Sequence, residues 1–214
     1  MTSLFSVVRG AMQGKTLARI LFCEALEERT KSLSGRALDL AGGPHPSYAT
    51  LLPPSLELVR TDRIEAPGVQ EVDMNAPLPF KEDAFDAVFL FNALYIVDEP
   101  EALAREVRRV LKPGGTWLVL SPFIANEMPS PHDYLRFTAE GLERLARRAR
   151  FSGVHIERQG ERASSATHLM HPFYRFNIVR ALFFAKALLM DDFIPEHVRK
   201  EHPAPLQYFC TFAK

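Results

Sequence analysis

The sequence predicts an α/β fold in which helices cover both faces of a mostly parallel sheet. Strand-like and helix-like segments alternate along the 214 residues, which is typical of chains that build a parallel sheet. Residues 84–91 form a nearly continuous apolar run, as expected of a central strand covered on both faces. Several predicted strands end in a polar residue. Ligands of such sheets bind at the carboxyl ends of the strands, so the pattern also predicts a ligand site there.

The beginning of the chain is predicted to be helical. Apolar residues recur at helical spacing over residues 4–31, and Gly10 and Gly14 are expected to divide this stretch into two helices. We therefore expect residues 1–34 to form a helical arm packed against the body of the protein. The alternative is a mobile lid over the ligand.

The remaining elements follow in order. The predicted strands cover residues 36–40, 56–61, 69–72, 84–91, 116–121, 154–157 and 206–212. The predicted helices cover residues 47–52, 98–111 and 138–149, apart from those of the arm and of residues 170–193. Asp98 and Thr138 are expected to cap two of these helices, with Pro100 in the first turn of the earlier one.

Composition narrows the classes of function. The 26 basic and 26 acidic residues give zero net charge, which argues against a nucleic-acid binder driven by phosphate neutralisation. Cys23 and Cys210 form no CxxC motif, so we expect neither a disulfide framework nor a cysteine-rich metal site. No apolar run is long enough to cross a bilayer, and the first residues lack the features of a signal peptide. We expect a cytoplasmic protein.

The candidate ligand-binding loop follows the first predicted strand. That strand ends at Asp39, and the small residues Ala41, Gly42 and Gly43 follow it. Without bulky side chains, a ligand can approach the backbone closely. The segment is neither a Walker A loop nor a complete GxGxxG motif, and an ordinary turn is the alternative. Asp62, Asp73, Asn92 and Ser121, which end or follow later strands, favour the binding interpretation.

Residues 37–157 resemble the class I S-adenosylmethionine-dependent methyltransferases of the type 11 kind. The resemblance rests on ALDLAGGPHP (37–46), VDMNAPLPF (72–80), FDAVFLFNAL (85–94) and, most specifically, REVRRVLKPGGTWLVLSPF (105–123). It implies a Rossmann-like, doubly wound, mostly parallel seven-stranded sheet with an antiparallel last strand. It also implies S-adenosyl-L-methionine as methyl donor and S-adenosyl-L-homocysteine as product. Within a single domain over 1–214, residues 160–203 would form a helical insertion over the acceptor side.

The resemblance assigns roles to individual residues. Asp62 looks like the acid that holds the ribose hydroxyls, Asp73 like the acid beside the adenine, and Asp39 orients the turn or the methionine end. The predicted cofactor-binding residues are Asp39, Ala41, Gly42, Gly43, Asp62, Arg63, Asp73, Met74, Asn75, Phe91 and Asn92. Ala41 and His45 stand where the family has two glycines. That departure keeps open a second hypothesis, a degenerate methyltransferase fold that acts as a non-catalytic binding or scaffolding subunit.

The acceptor side is predicted from PSPHDYLRFTAEGLERL (129–145), which resembles the HDYxRFT segment of one bacterial subgroup. His132 is the candidate base for a hydroxyl acceptor, because histidine titrates near neutral pH. Tyr134 and Arg136 could bind an acidic acceptor. Alternatively, the segment is a polar loop held by internal hydrogen bonds, with Arg136 paired to Asp133. We expect a small-molecule acceptor of lipophilic, aromatic or sugar type, and O-methylation is slightly favoured.

Residues 170–193 are apolar on nearly all sides of the predicted helix, so something must cover them. We favour a core helix or a homodimer interface. The other interpretations are a wall of an apolar acceptor pocket and a peripheral membrane contact whose cations reach outward. The helix is too short to span a bilayer. His168 and His171 are three residues apart but have no carboxylate at a motif spacing, so no metal site is predicted.

Overall fold

The computed structural model describes residues 3–214, and the first two residues of the predicted arm lie outside this range. The strands are β1 (Gly35–Leu40), β2 (Leu56–Asp62), β3 (Gln70–Glu71), β4 (Phe85–Phe91), β5 (Leu111–Pro122), β6 (Gly153–Gln159) and β7 (Gln207–Ala213). They form one sheet in the order β3-β2-β1-β4-β5-β7-β6. Strands β1 to β5 pair in parallel, and the last strands are antiparallel. The predicted Rossmann-like α/β class is confirmed.

The helix predicted over residues 47–52 is only a short 3₁₀ turn. The α-helices of the described residues precede β1 or lie between the strands from β4 to β7. They are α1 (Leu4–Met12), α2 (Leu17–Thr30), α3 (Pro100–Val110), α4 (Ala139–Arg148), α5 (Arg162–Leu169), α6 (Asn177–Asp192) and α7 (Glu196–Glu201). Short 3₁₀ turns cover Ala49–Leu51, Leu94–Ile96 and His171–Phe173. Across residues 3–214, no helix combines the length and the apolar character that crossing a membrane requires.

The end signals of the helices were predicted with mixed success. The Thr138 hydroxyl accepts a hydrogen bond from the Gly141 amide at 3.1 Å and caps α4, as predicted. The prediction for Asp98 was wrong, because α3 begins after Glu99 without a side-chain cap, and the Asp98 amide donates to Asn75 instead. The predicted division of the first stretch into two helices is confirmed, but the break lies beside Gly14, which has φ 77°, and not at Gly10. Gly10 lies buried inside α1, where a Cβ would collide with the side chain of Ile20.

The chain divides into two compact units. The first comprises the residues up to Ala25, Pro122–Glu127 and Arg158–Tyr208, and it contains α1 and α5–α7. Its core brings together Val7, Ala11, Leu17, Ile20 and Phe184. The second unit comprises Leu26–Ser121, Met128–Glu157 and Phe209–Lys214, and it contains most of the sheet with α3 and α4.

The centre of the second unit is the pair β4 and β5. Ala87, Val88, Phe89 and Leu90 have no exposed surface, and β4 pairs in register with the segment of β5 around Trp117. Most buried residues of this pair are aromatic, β-branched or otherwise apolar, types that pack well on a sheet covered on both faces, and Ser121 is a polar exception. The register shifts between Phe85 and Ala87. The central strands hold the carboxyl-end loops in place.

Candidate functional site

The loop after β1 is built around the buried carboxylate of Asp39. This side chain has no exposed surface. The Tyr48 hydroxyl lies 2.8 and 2.7 Å from its two oxygens and donates to the carboxylate, and the Thr61 hydroxyl donates to the Asp39 carbonyl at 3.1 Å. Buried polar groups need such partners. The carboxylate therefore ties the far end of the loop to β1, and the carbonyl ties β1 to β2.

Burial raises the pKa of Asp39 to about 7 from the ordinary value of 3.8. The hydrogen bond from Tyr48 and the positive charge of Arg60 act in the opposite direction, but they do not outweigh the loss of hydration. The folded protein therefore holds a carboxyl group that titrates near neutral pH at the end of β1.

The pH dependence of folding stability should change in Asp39→Asn. Because the folded-state pKa of about 7 lies above the ordinary 3.8, the unfolded chain releases its proton first as the pH rises. The stability contributed by the neutral carboxyl is complete below pH 3.8 and is lost as the pH approaches 7. The amide of asparagine does not ionise, so Asp39→Asn should not lose stability as the pH rises. Allowing for a weaker hydrogen bond from Tyr48, we expect the variant to be about 1–2 kcal/mol more stable than wild type above neutral pH.

Urea unfolding of wild type and Asp39→Asn across this pH range measures the difference. Glu57→Gln is a matched control, because Glu57 is an exposed carboxylate on β2, and it should keep the wild-type slope. Parallel pH profiles for wild type and Asp39→Asn would contradict a buried neutral carboxyl at position 39.

The two glycines of the loop let the carboxylates of Asp39 and Asp62 approach its backbone closely. A Cβ at Gly42 would overlap the carboxylate of Asp39, and a Cβ at Gly43 would lie 3.2 Å from Oδ2 of Asp62. Gly43 has φ +65° and Ala41 has φ 63°, so two residues of the loop adopt the left-handed conformation. The Gly42 amide donates to the Thr61 carbonyl at 3.1 Å. The loop backbone and the two carboxylates therefore form a cradle that is tightly packed at Gly42, and a side chain at 42 or 43 would press on one of the carboxylates.

Asp62 ends β2 at the edge of this cradle. Its Oδ1 accepts the backbone N–H of Arg63 at 2.7 Å, and its Oδ2 is the atom nearest to the vacant Cβ position of Gly43. The side chain of Arg60, two residues earlier, donates to the Pro44 carbonyl. A half-buried carboxylate beside a glycine loop suits a ligand that carries hydroxyl groups, because charged acceptors make the stronger hydrogen bonds.

The predicted adenine segment continues from β3 at the same edge of the sheet. The Val72 amide donates to the Asp62 carbonyl at 2.8 Å, which keeps this segment beside β2. Asp73 accepts the Asn75 amide at 2.9 Å, and Asn75 accepts the Asp98 amide at 3.0 Å. The segment that carries Asp73 and the half-buried Met74 is therefore fixed at both ends.

Phe91 and Asn92 end β4. Phe91 is buried and meets the ring of Tyr48 edge to face, with 5.1 Å between centroids. Asn92 has φ 53°, and its backbone N–H donates to the Leu120 carbonyl at 3.0 Å. Tyr48 therefore contacts both Asp39 and Phe91, which links the ends of β1 and β4.

The predicted acceptor segment is held by internal contacts. The Arg136 guanidinium pairs with Asp133, with 2.6 Å between Nη2 and Oδ2, and Asp133 also accepts the Met128 amide at 2.9 Å. The hydrogen bond from Arg136 holds the pKa of Asp133 below its ordinary value. The internal pairing that was the alternative for Arg136 is present.

The same segment docks on the residues after β4. The Tyr134 amide donates to the Tyr95 carbonyl at 2.9 Å, and the Arg136 guanidinium lies 5.3 Å from the centre of the Tyr95 ring. His132 stacks on Tyr134 with 5.0 Å between ring centres and 13° between planes, and both rings are exposed. The segment therefore presents an imidazole and a phenol to solvent while its backbone and its ion pair are fixed.

The structure brings most of the predicted site residues to one edge of the second unit. The glycine loop lies against the carboxylates of Asp39 and Asp62. Hydrogen bonds keep the segment that carries Asp73 and Asn75 at the same edge. Thr61, Arg60 and Tyr95 were missed. The side chains of Thr61 and Arg60 donate to backbone carbonyl groups, and the ring of Tyr95 contacts Arg136. No local sequence pattern predicts such long-range contacts.

Among residues 3–214, no group of three or more histidine, cysteine, aspartate or glutamate side chains is placed to hold a metal ion. His168 and His171 stack with 5.7 Å between ring centres. Burial lowers the pKa of His168.

The methyltransferase domain family matches residues 35–119, which run from β1 into β5. A demethylmenaquinone methyltransferase from Clavibacter sepedonicus is 35% identical over 109 residues, which are 44% of this chain and 43% of that protein. The ubiquinone/menaquinone biosynthesis C-methyltransferase UbiE of a Ruegeria species is 37% identical over 97 residues, 42% of this chain and 38% of that protein. The chain spans less than half the length of these curated relatives.

Solved structures extend the likeness over nearly the whole chain. The crystal structure of a SAM-dependent methyltransferase from Archaeoglobus fulgidus superposes with a TM-score of 0.61 and 16% identity, covering 92% of this chain and 94% of that one. At this identity the likeness shows the fold alone.

Proposed function

We propose that this chain, whose residues 35–119 belong to the class I S-adenosylmethionine-dependent methyltransferase family, transfers a methyl group from S-adenosylmethionine to a small-molecule acceptor. The observation that carries the proposal is the glycine loop that passes between the carboxylates of Asp39 and Asp62. A loop backbone without side chains at 42 and 43, together with Asp62 at its edge, fits a ligand that combines hydroxyl groups with an amino acid end.

Each part of the cradle suits one part of the cofactor. Asp62 would hold the ribose hydroxyls, while the backbone of the glycine loop, positioned by the buried Asp39, would hold the amino acid end. Met74 and Asp73 would offer an apolar wall and an acceptor to the adenine. When bound, the cofactor would supply a methyl group on an electrophilic sulfonium. The chain would contribute orientation, which can lower a barrier by roughly 7–11 kcal/mol in well-aligned cases.

We further propose a lipophilic, aromatic acceptor with a hydroxyl group, methylated on oxygen. The stacked rings of His132 and Tyr134 offer an exposed aromatic face, and the imidazole of His132 would take the hydroxyl proton. The names of the curated relatives refer to quinone biosynthesis, which supports an aromatic acceptor. One of them is called a C-methyltransferase, so product analysis has to identify the methylated atom.

His132→Ala should lower the rate of methyl transfer about 10²-fold, the low end for a general base, because this side chain is exposed. Affinity for S-adenosylhomocysteine should stay unchanged. Transfer of a labelled methyl group to a panel of phenols, catechols and quinols measures the rate, and mass spectrometry of the products locates the methyl group.

His197→Ala is the control for this experiment, because His197 is an exposed histidine on α7, in the other unit. It should transfer methyl groups at the wild-type rate. If His132→Ala also kept the wild-type rate at every pH, His132 would have no role as a base.

A non-catalytic binding or scaffolding subunit is the second candidate function. Ala41 occupies a left-handed position, φ 63°, that favours glycine, and it stands where the family has one. A loop that diverged in this way could keep the fold without the cofactor. Absence of a thermal shift with either S-adenosylmethionine or S-adenosylhomocysteine, in protein that is folded by circular dichroism, would favour this candidate.

A further inference from the structure

Helix α6 presents an apolar face to solvent. Its exposed apolar residues include Ile178, Leu182 and Leu189, with exposed fractions of 64%, 67% and 55%. They recur at helical spacing on one side, and Ala181, Phe184 and Ala187 are buried on the other. A surface helix of a globular protein normally turns charged and polar residues outward. Here several large apolar side chains point outward, and of the four buried residues two are alanines and one is Asp191.

Helix α1 repeats this arrangement. Leu4, Phe5 and Met12 are 55%, 76% and 52% exposed, whereas Val7 and Ala11 are buried in the same cluster as Phe184 of α6. The Asn177 side chain donates to the Met12 carbonyl at 2.9 Å, which joins the start of α6 to the end of α1. We call the exposed faces of the two helices the α1–α6 surface, defined by Leu4, Phe5, Met12, Ile178, Leu182 and Leu189.

The charged residues in the stretches that contain α1 and most of α6 are basic. The sequence contains no aspartate or glutamate before Glu24, and none between Arg162 and Asp191. The same two stretches carry a series of basic residues, which are Arg9, Lys15, Arg19, Arg175, Arg180 and Lys186. Lys186 is exposed among the apolar residues of α6. The acid-free part of α6 ends at Asp191, which accepts the Ala163 amide at 2.8 Å.

We propose that the α1–α6 surface docks on an anionic lipid bilayer. An amphipathic helix with large apolar residues and flanking cations lies in the interface between lipid headgroups and acyl chains. Each cation near an anionic surface adds attraction. Exposed apolar residues that cluster among polar ones often mark an interaction surface. The proposal concerns a surface of the first unit and does not depend on methyl transfer.

A second copy of the chain fits this surface less well. A two-fold dimer sets the same patch against itself. The two stretches would offer the second copy basic residues but no carboxylate, and like charges at an interface weaken association. Lipid phosphates supply the missing negative charge.

Vesicle co-sedimentation tests the proposal. Wild type should bind phosphatidylcholine vesicles that contain phosphatidylglycerol and should bind pure phosphatidylcholine vesicles far less. Leu182→Ser should weaken binding to the anionic vesicles at least about tenfold, because a buried leucine contributes strongly to partitioning. Lys186→Gln should weaken it about fivefold, and only on anionic vesicles.

Ile64→Ser is the matched control, because Ile64 is 76% exposed in the second unit, away from both helices in sequence. It should bind vesicles like wild type, and circular dichroism should show all variants folded. Equal binding by Leu182→Ser and wild type would overturn the proposal. So would a lack of vesicle binding together with a dimer, seen by sedimentation equilibrium, that Leu182→Ser dissociates.

Discussion

Asp62→Ala should weaken the binding of S-adenosylhomocysteine about 10²- to 10⁴-fold. Hydrogen bonds to a charged acceptor contribute about 1.5–3 kcal/mol each, and the ribose offers two hydroxyl groups. Asp62 is available for them because its Oδ1 is held by the Arg63 amide while its Oδ2 lies nearest the Gly43 position. Calorimetric titration of wild type and variant measures both affinities directly.

Glu57→Ala is the control on the same strand. Glu57 lies near the other end of β2, exposed and 3.3 Å from Arg36, and its loss should leave the affinity unchanged. Equal affinities for Asp62→Ala and wild type would show that the cofactor does not use this carboxylate. Failure of folded wild type to bind at all would instead favour the non-catalytic candidate.

Gly42→Ala should destabilise the fold by about 3–5 kcal/mol and abolish measurable cofactor binding. The new Cβ would overlap the Asp39 carboxylate, which has no exposed surface to move into. Overpacking costs roughly 1–3 kcal/mol, and displacing the carboxylate from Tyr48 adds about 1.5–3 kcal/mol for a hydrogen bond to a charged group. Urea unfolding measures the stability, and titration with S-adenosylhomocysteine measures the binding.

Gly141→Ala separates this effect from the general cost of adding a methyl group. Gly141 lies in α4, where a Cβ would meet its nearest neighbours at 3.5 Å, an ordinary contact. Alanine is the better helix former, so this variant should be up to about 1 kcal/mol more stable than wild type. If Gly42→Ala behaved like Gly141→Ala, the cradle between the two carboxylates would not be tightly packed.

The sequence predicts the parts of the fold that depend on local pattern. The apolar run of β4, the acids at the ends of β1 and β2, and the cap at Thr138 follow from periodicity and residue type. The interior position of Gly10 does not follow from local pattern. A glycine in a helical pattern can mark either a helix break or a place where another side chain packs closely. Only the packing of Ile20 against it distinguishes the two. The Asp98 prediction fails because the helix starts one residue later than expected, with Glu99 at the N-cap position.

The site itself was predicted in its acids and glycines but not in its supports. Thr61 and Arg60 reach the loop through hydrogen bonds to carbonyl groups, and such contacts depend on which strands become neighbours. The sequence also did not predict which face of α6 is exposed. A helix that is apolar nearly all round gives no sign of which side faces solvent, and the burial of Ala181 and Phe184 settles it.

The anchoring of the loop between Asp39 and Tyr48 has a consequence for how a ligand is received. Tyr48 holds the far end of the loop, the Thr61 carbonyl holds Gly42, and Arg60 holds Pro44. The backbone is thus ordered before any ligand arrives, and each residue that need not be immobilised on binding avoids a cost of roughly 1–2 kcal/mol. The cradle is preorganised: folding, rather than the ligand, meets the entropic cost of shaping it.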